Sequence, residues 1–413
     1  NNVRRAFETA GKMGIRTVSL TGEPGEPLSV LADVAIRTPG DSTAAVQEQH
    51  IKVYHTLCAV IEERLFGERG SLSGPYGSRY SRFDFSRIRT YPLSGRENRT
   101  DLERLVLPDT LPARPSERED ISLVAEETAG AVKAGHPVIV MMGAHLIKNG
   151  LGPLLIDLIN RGCVSLVAGN GACPIHDTEL AYCGGTSERV PDMLPKGQFG
   201  FARETGEIVN GAYLEAFKRR MGAGEALGGI LSGDIPLNWS REGGRLVFPY
   251  REHSLFYSAY RKGIPFTIHG TMGTDIVDQH PNALFEAKGF ASGVDFSIFA
   301  DEVTRLTAGG VVLNIGGAVT QPEVLLKAVS MAANIGKAPN RITTAVFDLF
   351  DVNTADIADE ERPGYYRRDI KSIVVRIPEA FNGKGFYVQG DHRETFVQFY
   401  RHLKYLLEGV GRK

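Results

Sequence analysis

Short apolar runs of strand length alternate with longer segments of helical spacing along this chain. Near its start, residues 16–20 and 32–37 have the length and composition of buried strands, and a helical pattern covers 2–13. A long helix is predicted over 43–66, where apolar positions recur at helical spacing. This end of the chain therefore has the pattern of an α/β layered half-domain.

From about residue 120 the alternation resumes on a larger scale. The predicted strands are 137–142, 163–168, 265–268, 310–315, 343–347 and 372–377. The predicted helices are 120–134, 149–161, 199–221, 296–306, 321–335 and 393–408. Alternation of this kind is typical of a doubly wound, mostly parallel sheet with helices on both faces.

The segment between these two regions has a different composition. Residues 68–119 contain ten arginines and no lysine, together with several Gly, Pro and Ser. We interpret it as a solvated linker followed by an extended lead-in; the alternative is that the arginines bind phosphate. The expected organisation is a first domain over 1–67, a linker over 68–81 and a second domain over 82–413.

Overall composition narrows the classes of partner. The net charge of −2 gives no reason to expect nucleic acid or an anionic membrane as a partner. No apolar run reaches the roughly 18 residues that a spanning helix needs. The four cysteines form no CxxC pair, which favours a reducing, cytoplasmic setting. Because the chain begins with Asn1 rather than Met, we expect it to be a fragment.

One stretch carries a specific resemblance. Residues 47–55 read QEQHIKVYH, inside STAAVQEQHIKVYHTLCAVIEERLF, and NVRRAFETAGKMGIRTVSLTG lies upstream. These segments resemble the C-terminal part of the phosphoheptose (sedoheptulose 7-phosphate) isomerases, which have the sugar-isomerase (SIS) fold. The resemblance implies aldose–ketose isomerisation of a small sugar phosphate in a homo-oligomer, by proton transfer and metal polarisation of the carbonyl. It also implies that His55 is a zinc ligand and catalytic acid/base, and that Gln47 is a second zinc ligand.

Helix geometry constrains that assignment. Eight residues of straight helix rise about 12 Å, so Gln47 and His55 cannot both reach one metal from its regular part. Either Gln47 lies at a frayed start, or a neighbouring subunit supplies one of the pair; alternatively, both are surface residues in a packing interface. The family's remaining ligands and phosphate loop would precede Asn1, so we expect no isomerase activity from this fragment alone.

A second set of candidate residues follows the predicted strands of the larger region. Loops at the carboxyl ends of strands in a doubly wound sheet bind ligands, and small residues let the backbone approach phosphate. Two further loops, TIHGTMGTD and NIGGAV, have the strand–Gly–helix form of a phosphate or carboxylate cradle. We expect the Gly-bearing strand ends to share one cleft. The candidate cofactor-binding residues are Gly143, Gly169, Asn170, Gly171, Gly273, Thr274, Asp275, Gly316 and Gly317, and the candidate catalytic residues are His176, Asp177 and Glu179.

The stretch PVIVMMGAHLIKNGLGPLLIDLINRGCVSLVAGNGACPIHDTELAYCGGTSE resembles the dinucleotide-binding domain of deoxyhypusine synthases. It resembles more closely the ornithine cyclodeaminase family of the lysine-oxoglutarate reductase/saccharopine dehydrogenase type, in which a strand–GN–x–HDxE–GTS pattern occurs. The resemblance implies a deoxyhypusine synthase-like fold that binds NAD, although the G-x-G-x-x-G turn is absent.

Three functions remain open from the sequence. The first is an enzyme of phosphosugar metabolism that joins the tail of a phosphosugar isomerase to an NAD-dependent domain acting on a related sugar or its derivative. The second is a sensor, in which the larger domain binds a nucleotide or sugar phosphate without catalysis. The third is an amine-handling NAD enzyme.

Overall fold

The structure is a computed structural model that describes residues 2–23, 26–66, 80–237, 246–352, 361 and 367–409. The chain divides into two compact units, Asn1–Arg87 (unit 1) and Ile88–Lys413 (unit 2). Most of the predicted linker, 68–79, lies outside the described residues. Among the described residues, no helix is long and apolar enough to cross a membrane.

Unit 1 is the α/β half-domain that the sequence predicts. Its elements are α1 (Asn2–Lys12), β1 (Val18–Gly22), α2 (Glu26–Ser29), β2 (Val34–Thr38) and α3 (Thr43–Phe66). The two strands pair in parallel, with Val18 opposite Val34. Asp33 fixes the start of this pair, because its Oδ2 accepts hydrogen bonds from the Thr17 amide at 2.7 Å and the Thr17 hydroxyl at 3.1 Å.

The strands of unit 2 are β3 (Thr100–Asp101), β4 (Val138–Met142), β5 (Leu166–Asn170), β6 (Gly185–Thr186), β7 (Phe266–His269), β8 (Val311–Ile315), β9 (Thr343–Asp348) and β10 (Lys384–Gln389). Its helices are α4 (Glu119–Ala134), α5 (His145–Lys148), α6 (Gly152–Asn160), α7 (Ala172–Cys183), α8 (Val190–Met193), α9 (Arg203–Arg219), α10 (Ala223–Ser232), α11 (Leu255–Lys262), α12 (Phe285–Val303), α13 (Thr320–Asn334), α14 (Ile377–Ala380) and α15 (His392–Glu408).

Within the described part of unit 2, six strands form one parallel sheet in the order β7-β5-β4-β8-β9-β10. The chain starts at the central strand β4, moves outward to β5 and β7, and then crosses to β8, β9 and β10. This is the 3-2-1-4-5-6 order of doubly wound dinucleotide-binding folds. The direction of winding reverses between β4 and β8, which makes that junction the switch point. Strands β3 and β6 form a separate antiparallel pair.

Burial on both faces explains why the central strands read as continuous apolar runs. Strand β4 is buried throughout; Val138, Val140 and Met142 join one hydrophobic cluster, whereas Ile139 and Met141 join a second. Since successive side chains of a strand point to opposite faces, the two clusters cover the two sides of the sheet. The predicted fold class, α/β with a doubly wound parallel sheet, is confirmed.

The end of the chain differs from the prediction. The predicted strand over 372–377 is wrong, because Ile370–Arg376 form a π-helix that continues into α14. The run is rich in β-branched residues, which favours a strand locally. Burial of Ile373 in the second hydrophobic cluster stabilises the helical form instead. The last strand of the sheet is β10, which pairs with β9.

Candidate functional site

Two glycines, Gly143 and Gly316, approach each other closely at the switch point, and together they are named the glycine floor. The Gly143 amide follows β4 and donates to the Ile315 carbonyl at 3.1 Å, and the Gly316 amide donates to the Phe347 carbonyl at 3.1 Å. A Cβ added to Gly143 would lie 2.4 Å from the Gly316 carbonyl oxygen. Gly316 has φ +62°, which other residues rarely adopt. Only glycine at both positions lets the two backbones approach this closely.

Two amide side chains hold the loop after β8 in place. The Asn314 Nδ2 donates to the Gly317 carbonyl at 2.8 Å, and the Gln321 Nε2 donates to the Met142 carbonyl at 2.5 Å. The side-chain oxygens of Asn314 and Gln321 are buried and have no hydrogen-bond partner among the described residues. Buried acceptors without a donor are costly, so these two oxygens mark a place where a ligand donor would be stabilising.

The predicted residues after β5 have local structural partners. A Cβ on Gly169 would lie 2.8 Å from the Cys173 sulfur, so this glycine allows the return of α7. The Asn170 Oδ1 accepts a hydrogen bond from the Ala172 amide at 3.1 Å at the start of that helix. A Cβ on Gly171 would lie 1.9 Å from Asp275 Oδ2. Their cofactor-binding role stays a prediction.

The loop after β7 forms its own polar cluster around a buried lysine. The Lys288 ammonium lies 2.8 Å from Asp275 Oδ2 and 2.6 Å from Asp278 Oδ1. The Gly273 amide donates to Asp278 Oδ2 at 2.7 Å, and the exposed Thr274 hydroxyl donates to the Thr271 carbonyl. Burial raises the pKa of Asp275, and Lys288 opposes that shift.

Lys288 was not among the residues selected from the sequence. It is 2% exposed and lies near the start of α12. The sequence prediction placed the start of this helix at residue 296, eleven residues too late. The described contacts form two clusters at the carboxyl ends of the strands: the glycine floor at β4 and β8, and the lysine cluster at β5 and β7. That they share one cleft stays a prediction.

His176 lies on the second turn of α7, the helix that follows β5. Its Nδ1 is 2.8 Å from the Thr186 hydroxyl oxygen, and that hydroxyl donates its hydrogen to Glu179 Oε2 at 2.6 Å. Because the threonine hydrogen is committed to the carboxylate, the Thr186 oxygen accepts the Nδ1 hydrogen of His176. The Nε2 lone pair is then left without a hydrogen-bond partner among the described residues.

Glu179 is held by a buried ion pair. Arg96 donates from Nη1 to Oε1 at 2.9 Å and from Nη2 to Oε2 at 2.6 Å, and Thr205 donates to Oε1 at 2.7 Å. Burial alone would raise the pKa of Glu179, but the Arg96 charge and hydrogen bonds lower it overall. Arg96 lies in the extended lead-in of the arginine-rich stretch, and the structure buries its side chain in this ion pair.

Burial also shifts the pKa of His176, but in the downward direction, because it disfavours the charged imidazolium. Burial lowers the pKa of His176 to about 4, with Lys148 and Arg96 adding to the shift and Glu179 opposing it. The imidazole is therefore neutral near pH 7, with Nδ1 as donor and Nε2 as acceptor. This is the state required of a proton acceptor at the carboxyl edge of the sheet.

Asp177 points away from this network. Its carboxylate accepts hydrogen bonds from the Ser254 hydroxyl and from the Leu255 amide at 2.8 Å, at the start of α11. Burial raises the pKa of Asp177 to about 6. These contacts are those of a helix cap, and a catalytic role for Asp177 stays a prediction.

The structure does not bring the predicted zinc ligands of unit 1 together with other ligands. Gln47 and His55 both lie exposed on α3, and the His55 ring packs beside Tyr54 at 5.1 Å. Among the described residues, no group of three or more His, Cys, Asp or Glu could hold a metal ion. The side chains described here thus do not fit the implied zinc site.

Comparison with known proteins separates the two ends of the chain. No family model matches. The N-terminal segment is similar to phosphoheptose isomerases: that of Sulfurimonas denitrificans is 45% identical over 67 residues, or 16% of this chain and 34% of that protein. That of Geotalea daltonii is 46% identical over 68 residues, or 16% and 35%. The chain thus spans about a third of the length of these relatives. The predicted resemblance to this family is confirmed for the segment.

Solved structures resemble unit 2 in fold class alone. AgrE in complex with ornithine and NAD+ is 17% identical with a TM-score of 0.38, covering 72% of this chain and 34% of AgrE. A LOR/SDH-type protein from Methanococcus maripaludis S2 is 16% identical with a TM-score of 0.39, covering 74% of each chain. A protein named as a deoxyhypusine synthase from Entamoeba histolytica is 12% identical with a TM-score of 0.37, covering 67% and 77%.

Proposed function

We propose that unit 2 is an NAD-binding enzyme in which His176 accepts a proton from a small substrate beside the switch point. The observation that carries this proposal is the strand order β7-β5-β4-β8-β9-β10, which brings the Gly143–Gly316 floor and the start of α7 to one edge of the sheet. In folds of this order, ligands bind outside the carboxyl ends of the strands at the switch point.

The residues of the floor fit a dinucleotide. Gly143, Gly316 and Gly317 would let the pyrophosphate approach the backbone of the floor closely, because they carry no side chains. The unpartnered oxygens of Asn314 and Gln321 would accept hydrogen bonds from the cofactor. NAD, when bound, supplies hydride acceptance.

The network behind His176 explains how the chain would move a proton. Arg96 fixes Glu179, Glu179 fixes the Thr186 hydroxyl, and Thr186 holds the Nδ1 hydrogen of His176. When Nε2 takes a proton, the Glu179 charge stabilises the imidazolium through Thr186. Thr186 and Glu179 are thus positioning residues for His176.

Calorimetric titration with NAD tests the cofactor half of this proposal. The full chain should bind one NAD, and Gly316→Ala should weaken binding at least about tenfold, because its Cβ would enter the space beside His145 and His392. Gly130→Ala is the matched control, since a Cβ there meets nothing within 4 Å. Absence of NAD binding by the unaltered chain would refute the assignment.

For unit 1 we propose the coarser role of a phosphosugar-isomerase segment that contributes His55 to a site completed in an oligomer or by further chain. The identity of 45% to phosphoheptose isomerases over 67 residues supports it. The test is binding of sedoheptulose 7-phosphate to the chain and to His55→Ala. We expect the chain alone to bind the sugar phosphate weakly, and His55→Ala to leave that binding unchanged. Turnover by the chain alone that is lost in His55→Ala would contradict this proposal.

A further inference from the structure

Two basic residues, Arg99 and Lys148, lie beside the contact between Thr186 and His176, and neither has a carboxylate partner among the described residues. Among the described residues, neither Arg99 nor Lys148 makes a side-chain ion pair or hydrogen bond. Lys148 is only partly exposed, and burial lowers its pKa, with Arg99 adding to the shift. The half-buried Lys148 ammonium and the exposed Arg99 guanidinium repel each other, and an anion bound between them would relieve that repulsion.

Backbone geometry fixes these two residues at the same place. The Arg99 amide donates to the Ser187 carbonyl at 2.7 Å, and Thr100 pairs with Thr186 across the β3–β6 ladder. The Thr100 hydroxyl donates to the Lys148 carbonyl at 2.7 Å. Arg99 and Lys148 are therefore each anchored next to the threonine, Thr186, that orients His176.

A tight contact fixes the turn that carries Lys148. Gly150 has φ +75°, and a Cβ there would lie 2.2 Å from the Arg104 carbonyl oxygen. The Val106 amide also donates to the Gly150 carbonyl at 2.9 Å. The arginine-rich lead-in is thus bound to the turn after β4, so the backbone segments that carry Arg99 and Lys148 are held near each other before any ligand binds.

We propose that Arg99 and Lys148 form an anion subsite that binds a phosphate or carboxylate group of the substrate beside Nε2 of His176. This inference rests on the proposed function, because it names the class of substrate on which His176 acts. It assigns to Arg99 the phosphate-type role that was the alternative reading of the arginine-rich stretch. The electrically neutral Arg96–Glu179 pair leaves this subsite with net positive charge.

Calorimetric titrations with inorganic phosphate and with acetate test the subsite on the full chain. The chain should bind at least one of these anions, and Arg99→Gln and Lys148→Gln should each weaken that binding by roughly tenfold, as expected for one charge-assisted contact. Arg189→Gln and Lys133→Gln remove single exposed charges elsewhere and should bind as the unaltered chain does. Preference for phosphate identifies a phosphate ester as the substrate class, and preference for acetate identifies a carboxylate; both support the subsite.

A second readout follows the imidazole itself. Binding of either anion next to Nε2 should raise the pKa of His176, observed by NMR of isotope-labelled histidine with His176→Gln to assign the signal. Equal anion affinity in Arg99→Gln, Lys148→Gln and the unaltered chain, or an unchanged His176 pKa on binding, would overturn the subsite. NAD binding is measured separately in the same variants. If NAD does not bind but the anion does, the proposed cofactor is refuted and the subsite stands. If NAD binds but the variants do not change anion binding, only the subsite is refuted.

Discussion

Units 1 and 2 both have parallel strands covered by helices, but they bury very different side chains. Among the residues of unit 1 whose side chains are described, the buried ones are Ser19, Ser29 and Thr38, and no hydrophobic side chain is buried. Unit 2 has two hydrophobic clusters that cover the two faces of its sheet. Unit 1 has the clearer sequence relatives, whereas unit 2 has the self-sufficient core, so similarity to a family and independent stability are separate properties.

Matched leucine substitutions test this difference in core packing between the two units. Leu166→Ala in β5 removes a fully buried side chain and should lower the free energy of unfolding of unit 2 by about 2–5 kcal/mol. Leu57→Ala in α3, where the side chain is 40% exposed, should cost about 1 kcal/mol or less. Urea denaturation, with hydrogen exchange to follow each unit, measures both. A cost for Leu57→Ala equal to that for Leu166→Ala would reveal a packed core in unit 1.

Loss of the buried Arg96–Glu179 ion pair should destabilise unit 2 nearly as much as Leu166→Ala. Arg96→Met leaves the Glu179 carboxylate buried without its partner, which should cost about 3–5 kcal/mol. Arg189→Met removes an exposed partner of Asp192 and should cost about 0–1 kcal/mol. Thermal and urea unfolding of the two variants provide the comparison. Similar losses in both would mean that the Arg96–Glu179 pair does not stabilise the fold.

A third prediction concerns how the stability of unit 2 depends on pH, through Asp295 beside the edge strand β7. Asp295 Oδ2 accepts hydrogen bonds from the Ile268 amide at 2.9 Å and the Gly224 amide at 3.2 Å, at the unpaired side of β7. Burial raises the pKa of Asp295 to about 7. Between the ordinary value of 3.8 and about 7 the folded state holds a proton that the unfolded state has lost, so this group's stabilising contribution is full below about pH 4 and falls as the pH rises.

Asp295→Asn removes that titration. Relative to this variant, the unaltered chain should lose a few kcal/mol of unfolding free energy between pH 4 and pH 7, measured by urea denaturation at each pH. The difference between the two proteins isolates Asp295 from His176 and His269, whose lowered pKa values act with the opposite sign. Parallel pH profiles for the two proteins would show that Asp295 is ionised in the folded state throughout.

The smallest effect is expected in unit 1. His55→Ala should change the unfolding free energy by no more than about 0.5 kcal/mol, since the ring is exposed on α3. Metal analysis of the purified chain should give the same zinc content with and without His55, because the described residues form no metal-binding group around it. Stoichiometric zinc lost on His55→Ala would restore the predicted ligand role.

The sequence predicts the layers better than the contacts. Continuous apolar runs locate strands β4, β5, β7, β8 and β9 because a parallel sheet buries both faces of its strands. The same signal fails at 372–377, where a β-branched run is helical. Arg96 was not identified because its partner Glu179 is 83 residues away, and no local pattern reports such a pairing. Lys288 was missed for a different reason: its helix begins at Phe285, eleven residues before the predicted start.

The candidate site residues show the same difference between what a local pattern predicts and which contacts form. His176 and Glu179 are spaced one turn apart in HDTE, and the structure links them through Thr186, which the sequence analysis did not select. Asp177 lies between them in sequence but on another face of α7, where it contacts α11. Residue type and spacing thus identify the candidates, and helix orientation decides which of them act together.

The most direct test of the central claim is the protonation state of His176 in the full chain. NMR of isotope-labelled histidine, assigned with His176→Gln, reports both the tautomer and the pKa of the ring. We expect a neutral ring near pH 7 with its hydrogen on Nδ1 and a pKa of about 4, and Thr186→Val should remove the preference for Nδ1. A ring that carries its hydrogen on Nε2, or that titrates at the ordinary histidine pKa, would contradict it.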